Sequence, residues 1–290
     1  MNPKFGLVPL REKDRGFSVG QIYTLSKLEE LPDDFDMGET RTEHQKDSDF
    51  CSAYTFTSMS EFQEGVELSP EWHFAMSKEL SGNIEEFGQD LKTAAKVSVK
   101  YGDIKKEDAP FSLDTKPYTY LRDPAVWPIE LKEKALEHKK KTYLDVSGPY
   151  SYFDTIRAFL WKFRNEKKCV ALGVVFGWPL SQKIMEHPAD FGTGHAMYTK
   201  GWKKINGQHY LIVVNSYGKE TGDNGVHYFS AEVINKTVGL YGAYALTDMT
   251  REEVEYMLQN GIKDTNNWLT RLFKVLYTFI KDIFRVKIEA

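Results

Sequence analysis

The chain has 290 residues, enough for one large domain or two small ones. Hydrophobic residues make up 41% of it and charged residues 28%, which is typical of a soluble globular protein. A formal net charge of −4 argues against a general nucleic-acid binder, because such proteins carry a basic excess. No apolar run reaches the roughly 18 residues of a membrane span, and no signal peptide is visible. We therefore expect synthesis in the cytoplasm, with later packaging in a virion or membrane association left open.

The chain has two cysteines, Cys51 and Cys169, far apart in the sequence. This count excludes a disulfide-rich secreted scaffold, and the spacing is not that of a metal site such as Cys-x-x-Cys. One disulfide between them stays open at this stage. The seven histidines form no pair with convincing metal-ligand spacing. We therefore predict neither a metal nor another cofactor.

The first half of the chain is predicted to be mainly helical. Residues 51–64 contain neither Gly nor Pro and are dense in apolar side chains, which indicates a buried helix. Either Ser48 or Asp49 is expected to cap its start. Apolar residues at helical spacing predict a further helix over residues 90–101.

The second half of the chain is predicted to be mainly β after one amphipathic helix over residues 152–165. Residues 169–176 form a short apolar run with β-branched side chains, which is typical of a buried strand. Residues 196–202, 210–215 and 226–229 indicate further strands, separated by turn signals that contain Asn-Gly.

The C-terminal part, residues 249–290, begins with a predicted helix over residues 250–260, where Thr250 and Glu253 form a capping box. Apolar residues then recur at helical spacing over residues 266–287, with basic residues largely between them. Such a helix packs on the body of the protein, or it binds a membrane surface, another copy of the chain or a larger assembly. The pattern does not decide among these roles.

Helices first and strands afterwards indicate an α+β fold of two packed lobes with a cleft between them. We divide the chain into a lead-in that packs on the body (1–35), a helical lobe (36–145), a β lobe (146–248) and a C-terminal helical extension (249–290).

Four residues in order along the chain point to a catalytic site. Cys51 opens a predicted helix, where the positive end of the helix dipole favours a thiolate. A lone cysteine in this position is more often a small buried apolar residue. However, Gln45 stands six residues earlier, His195 opens a predicted strand as Gly-His-Ala, and Asn215 closes another as Asn-Ser-Tyr-Gly.

In these motifs and their order the sequence resembles the papain family of cysteine peptidases over about residues 5–248, and more closely its bacterial or phage-type members. The resemblance implies a papain-like two-lobe fold, with a helical lobe, a lobe similar to a β-barrel and the active site between them. It also implies an endopeptidase in which Cys51 is the nucleophile, His195 the general base and acid, and Asn215 the residue that orients His195. Gln45 would lie in the oxyanion hole. The partner would be a polypeptide substrate, with no nucleic acid.

The residue types suit that chemistry. A histidine accepts and returns a proton near neutral pH, and beside a cysteine it favours the thiolate. An asparagine can fix the tautomer and orientation of the imidazole. An amide and the backbone N–H of Cys51 can stabilise the negative oxygen of the tetrahedral intermediate.

The resemblance also assigns residues to the substrate cleft. Gly88 is expected on the cleft floor, and Leu91 with Ala196 in a pocket for an apolar side chain. The resemblance also places Gly194 and Tyr217 in the cleft. Tyr217 would shield the hydrogen bond between His195 and Asn215 from water.

Asp49 departs from the family pattern, which has glycine at that position. Its carboxylate could narrow the cleft, favour a basic substrate residue or raise the pKa of the thiol.

The lead-in is too short for the inhibitory prosegment of many relatives. We therefore expect control by localisation, by the C-terminal tail or not at all. The alternative function is a non-catalytic assembly or binding protein, for example a virion or membrane-associated component, that reuses the fold and docks through residues 266–287.

Overall fold

A computed structural model describes residues 6–10 and 16–263 of the chain. The first helix is a single turn in the lead-in, and longer helices follow from residue 51 onward. In chain order the α-helices are α1 (Val19–Ile22), α2 (Cys51–Glu64), α3 (Pro70–Ser81), α4 (Leu91–Lys100), α5 (Tyr118–Leu121), α6 (Leu131–Ala135), α7 (Tyr152–Lys162), α8 (Ala231–Tyr241) and α9 (Arg251–Gln259). Short 3-10 turns lie at Leu28–Glu30, Lys106–Asp108, Pro124–Val126, Leu136–His138 and Arg164–Glu166.

The strands form one mixed sheet, to which the second half of the chain contributes most strands. They are β1 (Phe35–Asp36), β2 (Thr142–Asp145), β3 (Val170–Phe176), β4 (Ile184–Met185), β5 (Thr193–Ile205), β6 (Gln208–Val214), β7 (Val226–Ser230) and β8 (Ala243–Thr247). The strand order is β2-β8-β3-β5-β6-β7-β4, and β1 pairs with β5. All these pairs are antiparallel except the parallel pair of β4 and β7. A helical lobe built around α2, α3 and α4, and a β lobe built around the sheet, confirm the α+β two-lobe architecture.

Helix α2 has the predicted extent but not the predicted cap. The residue at its N-cap position is Phe50, whose side chain makes no capping hydrogen bond. The expectation of Ser48 or Asp49 was wrong because both side chains bond elsewhere. Ser48 Oγ donates to the carbonyl of Gln45, and Asp49 Oδ2 accepts from the backbone N–H of Gly88.

Helix α8 was missed by the sequence analysis, whereas the capped helix near the end of the described residues was found. The hydroxyl of Thr250 accepts from the backbone N–H of Glu253, and the Glu253 carboxylate accepts from Thr250 N–H. The predicted amphipathic helix over residues 266–287 lies outside the described residues. Among the residues that are described, no helix is both long and apolar enough to cross a membrane.

Three apolar clusters hold the fold together. The first fills the β lobe between the sheet and helices α7 and α8, and another fills the helical lobe around Trp72 and Trp127. The remaining cluster lies between the lobes, and contains Cys51 from α2, Leu91 from α4 and Ala196 from β5. The start of α2 is therefore packed directly against the sheet.

A pair of backbone hydrogen bonds also links the lobes. The Gln45 N–H donates to the carbonyl of Ser216 at 2.8 Å, and the Gly218 N–H donates to the carbonyl of Glu43 at 3.0 Å. The segment before α2 is thereby held beside the segment that follows Asn215.

Replacement of Leu172 by Ala tests the packing of the β lobe. Leu172 is fully buried on β3, so we expect Leu172→Ala to lower the free energy of unfolding by about 2–5 kcal/mol. The matched control is Leu136→Ala, which removes the same atoms from a side chain that is 52% exposed, and should change stability by less than about 0.5 kcal/mol. Urea denaturation measures both, and equal losses would contradict this packing.

Candidate active site

Cys51 is the first residue of α2 and is completely buried at the junction of the two lobes. The backbones of Ala196, on β5, and of Gly6, in the lead-in, lie close enough to the Cys51 sulfur to lower the pKa of its thiol. Ala196 directly follows His195 in the sequence. The fold therefore brings Cys51 beside the short stretch of β5 that carries the predicted base.

His195 and Asn215 form a buried hydrogen-bonded pair between β5 and the end of β6. The distance from His195 Nε2 to Asn215 Oδ1 is 2.8 Å, and the same oxygen accepts from the backbone N–H of Ser216, also at 2.8 Å. Since Oδ1 can only accept, His195 carries a hydrogen on Nε2 in this arrangement. Its Nδ1 is then the nitrogen with a lone pair for a proton in the neutral imidazole.

Gln45 is buried, and both ends of its amide are held. Its Oε1 accepts from the hydroxyl of Ser216 at 2.5 Å, and its Nε2 donates to the carbonyl of Ser48 at 2.9 Å. Gln45 is thus connected through Ser216 to Asn215. All four residues that the motifs selected lie at this one junction.

Two aromatic rings enclose the imidazole of His195. The ring centroid of Tyr217 lies 5.5 Å from that of His195, and the ring centroid of Phe176 lies 5.6 Å from it. Tyr217 is itself nearly buried. Its position is suited to keep water from the bond between His195 and Asn215.

Burial favours the neutral forms of both predicted catalytic groups. It raises the pKa of the Cys51 thiol to about 12, although hydrogen bonds from the backbones of Ala196 and Gly6 act in the opposite direction. Burial also lowers the pKa of His195 to about 4, despite its hydrogen bond to Asn215. In this closed arrangement, the cost of desolvation outweighs the helix dipole, and the pair is thiol and imidazole rather than thiolate and imidazolium.

Asp49, Gly88 and Gly194 lie against the backbone of residues 6 and 7, and the space that these residues enclose is the interlobe channel. Asp49 Oδ2 accepts from Gly88 N–H at 2.6 Å, so this carboxylate fastens the loop before α4 to the nucleophile helix. On the opposite wall stands Gly194. A side chain at that position would collide with the carbonyl oxygen of Leu7 and the ring of Tyr241.

Residues 6–8 of the lead-in occupy this channel, where Leu7 forms an isolated parallel β-bridge with Gln89. The Leu7 N–H donates to the carbonyl of Gly194 at 3.0 Å on the β lobe. On the helical lobe, the Gln89 N–H donates to the carbonyl of Gly6 at 2.8 Å, and the Val8 N–H donates to the carbonyl of Gln89 at 3.3 Å. The segment therefore joins both walls of the cleft.

The side chain of Leu7 fills an apolar pocket in the same channel. It is 5% exposed and belongs to the interlobe cluster that contains Leu91, Ala196 and Tyr241. Leu91 and Ala196 are the two residues that the family resemblance assigned to such a pocket. The structure brings them together, and shows which kind of side chain the pocket holds.

Three contributors to the cleft were missed by the sequence analysis. Gln89, rather than Gly88, offers its backbone to the segment in the channel, while Tyr241 comes from the unpredicted helix α8. The segment 6–8 was expected only to pack on the body as part of the lead-in, because three small or apolar residues have no periodicity that would assign them to the cleft. Among the described residues, no group of three or more His, Cys, Asp or Glu side chains could hold a metal ion.

No model of a known protein family matches the sequence, and no curated protein matches it either. Solved structures do. Xylellain, a cysteine protease from Xylella fastidiosa, superposes with a TM-score of 0.68 at 18% identity, over 84% of this chain and 96% of that one. Procathepsin B S9 from Trypanosoma congolense gives 0.58 at 15% identity, over 82% and 85% of the two chains. Bromelain from Ananas comosus gives 0.52 at 17% identity, over 75% and 99%. The chain therefore has the papain-like cysteine peptidase fold.

Proposed function

We propose that the chain is a cysteine endopeptidase that acts through an acyl-enzyme on Cys51. The observation that carries the proposal is the extended segment 6–8, which lies beside Cys51 and bonds through its backbone to Gly194 and Gln89. Proteins that recognise extended peptides commonly pair them with an open strand edge in this way. The cleft thus fits a polypeptide, and a nucleophile with a candidate base stands next to it.

In the proposed reaction, His195 accepts the proton of the Cys51 thiol as the sulfur attacks the carbonyl carbon of the substrate. The resulting negative oxygen is stabilised by the Gln45 amide and the backbone N–H of Cys51. The carbon–nitrogen bond then breaks, and His195 returns its proton to the leaving amine. Water, deprotonated by His195, attacks the thioester, which releases the carboxylic acid and restores the thiol.

The pocket of Leu7 indicates the side chain that a substrate should carry. Burying a leucine-sized apolar side chain is worth about 1.5–3 kcal/mol, and the walls from Leu91, Ala196 and Tyr241 offer it apolar contacts. We therefore propose that substrates place an apolar residue there, close to the scissile bond.

We also propose that residues 6–8 keep the enzyme inactive while they are bound. Gly6 offers the sulfur a backbone N–H, whereas hydrolysis needs an electrophilic carbonyl carbon about 3–3.5 Å from it. The segment further excludes water, which holds Cys51 and His195 in their neutral forms. Its departure would hydrate the site and lower the pKa of the Cys51 thiol.

The competing function is a non-catalytic assembly or binding protein with the same fold. A filled cleft and a neutral thiol are compatible with that role, so the reactivity of Cys51 separates the two candidates.

Labelling with the epoxysuccinyl inhibitor E64 or iodoacetamide tests the proposed nucleophile. Once the cleft is open, Cys51 should react much faster than Cys169, whose thiol is buried and whose pKa burial raises well above its usual value. His195→Ala should slow the labelling of Cys51 by about 100-fold or more, because the proton acceptor is lost. Cys51→Ser is the control for site identity, measured by peptide mass spectrometry. Equal, slow labelling of both thiols in the opened protein would favour the non-catalytic function.

The substitution Leu7→Asp tests the inhibitory segment. A carboxylate is strongly disfavoured in the apolar pocket, and the lost leucine burial alone should shift the closed–open equilibrium by about 10- to 100-fold. We expect faster labelling of Cys51 and faster hydrolysis of a peptide library. Pro9→Asp adds the same charge at an exposed position nearby and should leave both rates unchanged. If Leu7→Asp behaves like Pro9→Asp, the segment does not control the cleft.

The substitution Asp49→Asn tests the electrostatics of the thiol. Burial is the main cause of the raised pKa of Cys51, and the charge of Asp49 adds to it. Asn keeps an acceptor for the Gly88 N–H but removes the charge, so the thiol pKa should fall and the labelling-against-pH curve should move to lower pH. The comparison is made in the Leu7→Asp background. Asp47→Asn, at an exposed position, is the matched control and should move the curve much less. An unmoved or opposite curve for Asp49→Asn would contradict this account.

A further inference from the structure

A second buried histidine, His227 on β7, lies directly behind Asn215. The distance from Asn215 Nδ2 to His227 Nε2 is 3.0 Å, and His227 Nδ1 is 2.7 Å from the carbonyl oxygen of Gln182. The residue has no exposed surface. None of the motifs that selected the four site residues includes it.

The partners of His227 determine its tautomer. The carbonyl of Gln182 can only accept, so the hydrogen of the neutral imidazole lies on Nδ1. Its Nε2 then carries a lone pair, which accepts a hydrogen from the side-chain amide of Asn215. Burial lowers the pKa of His227, which favours this neutral form.

The acceptor on His227 in turn determines which way the Asn215 amide points. With Nδ2 directed at His227, Oδ1 is directed at His195 and at the Ser216 N–H. The flipped amide would oppose Nδ2 to the hydrogen on His195 Nε2, and oxygen to the lone pair of His227. Both ends of the amide would then lose a hydrogen bond in a buried site, which is costly.

The surroundings of His227 leave its ring little freedom. Its centroid lies 5.7 Å from that of Phe176, and the ring of Phe229 is nearly parallel to it at 6.4 Å. A side-chain carbon at Gly222 would lie only 2.8 Å from His227 Nδ1. Phe176 also contacts His195, so the same aromatic side chain packs against both imidazoles.

We propose that His227 is a positioning residue for catalysis, which holds the Asn215 amide in the orientation that keeps His195 protonated on Nε2. This inference rests on the proposed peptidase function. It also links the site to the loop of Gln182, whose residues line a groove of about 650 Å³ together with Trp178 and Phe191.

The test compares His227→Phe with His227→Gln in the Leu7→Asp protein. Phe retains an aromatic ring but offers Asn215 no acceptor, so kcat should fall by about 10- to 100-fold with KM nearly unchanged. Gln supplies a carbonyl acceptor of similar reach and should recover much of the loss. In an Asn215→Ala background, His227→Phe should have no further effect, because the residue through which it acts is absent.

Long-range ¹H–¹⁵N NMR of the histidine rings gives a readout that does not require turnover. His195 should carry its hydrogen on Nε2 in the parent protein and in His227→Gln, and should populate the other tautomer in His227→Phe. Any one of three results would overturn the inference. These are an unaltered His195 tautomer in folded His227→Phe, an equal loss of kcat with and without Asn215, and a change in KM alone. If the parent protein shows no hydrolysis at all, the peptidase proposal fails, while the NMR comparison still decides the role of His227.

Discussion

The hydrogen bond between His195 Nε2 and Asn215 Oδ1 is the interaction on which the rest of the site depends. It fixes the tautomer of the imidazole, so that Nδ1, which is not bonded to Asn215, carries the lone pair. Groups from both lobes connect to this bond. Ser216 passes the constraint from Asn215 to Gln45, and the packing of Cys51 near Ala196 brings the nucleophile helix to the same place. Side chains from both halves of the chain are thereby held in one connected arrangement.

Access of water determines the protonation states of Cys51 and His195. With residues 6–8 in the channel, burial raises the pKa of Cys51 and lowers that of His195, so neither charge is favoured. The helix dipole and the backbone groups of Ala196, Gly6 and Ser52 are too weak to reverse this desolvation. We therefore interpret the described arrangement as a resting form, in which the machinery is assembled but lacks both an exposed sulfur and a correctly placed carbonyl carbon.

The sequence predicted the elements whose patterns are strong. Helix α2 and strands β3 and β7 were found because apolar density and turn residues mark them, and the order of Gln45, Cys51, His195 and Asn215 indicated the site. Features that depend on three-dimensional packing were not predictable in this way. Tyr241 comes to the cleft from α8, which the sequence did not predict. In the sequence His227 is an ordinary strand residue, and only the fold places it in contact with Asn215. The lead-in segment matters only because the lobes close on either side of it, which no local pattern records.

The central claim is that Cys51 becomes acylated by a peptide once the channel is open. Intact-protein mass spectrometry measures this directly when Leu7→Asp protein is mixed with an activated peptide ester that carries an apolar residue for the Leu7 pocket, and is quenched in acid within one turnover. The account predicts a mass increase equal to the acyl group, mapped to Cys51 and absent in His195→Ala. An unmodified protein that leaves the ester intact, or an adduct that maps to Cys169, would contradict it.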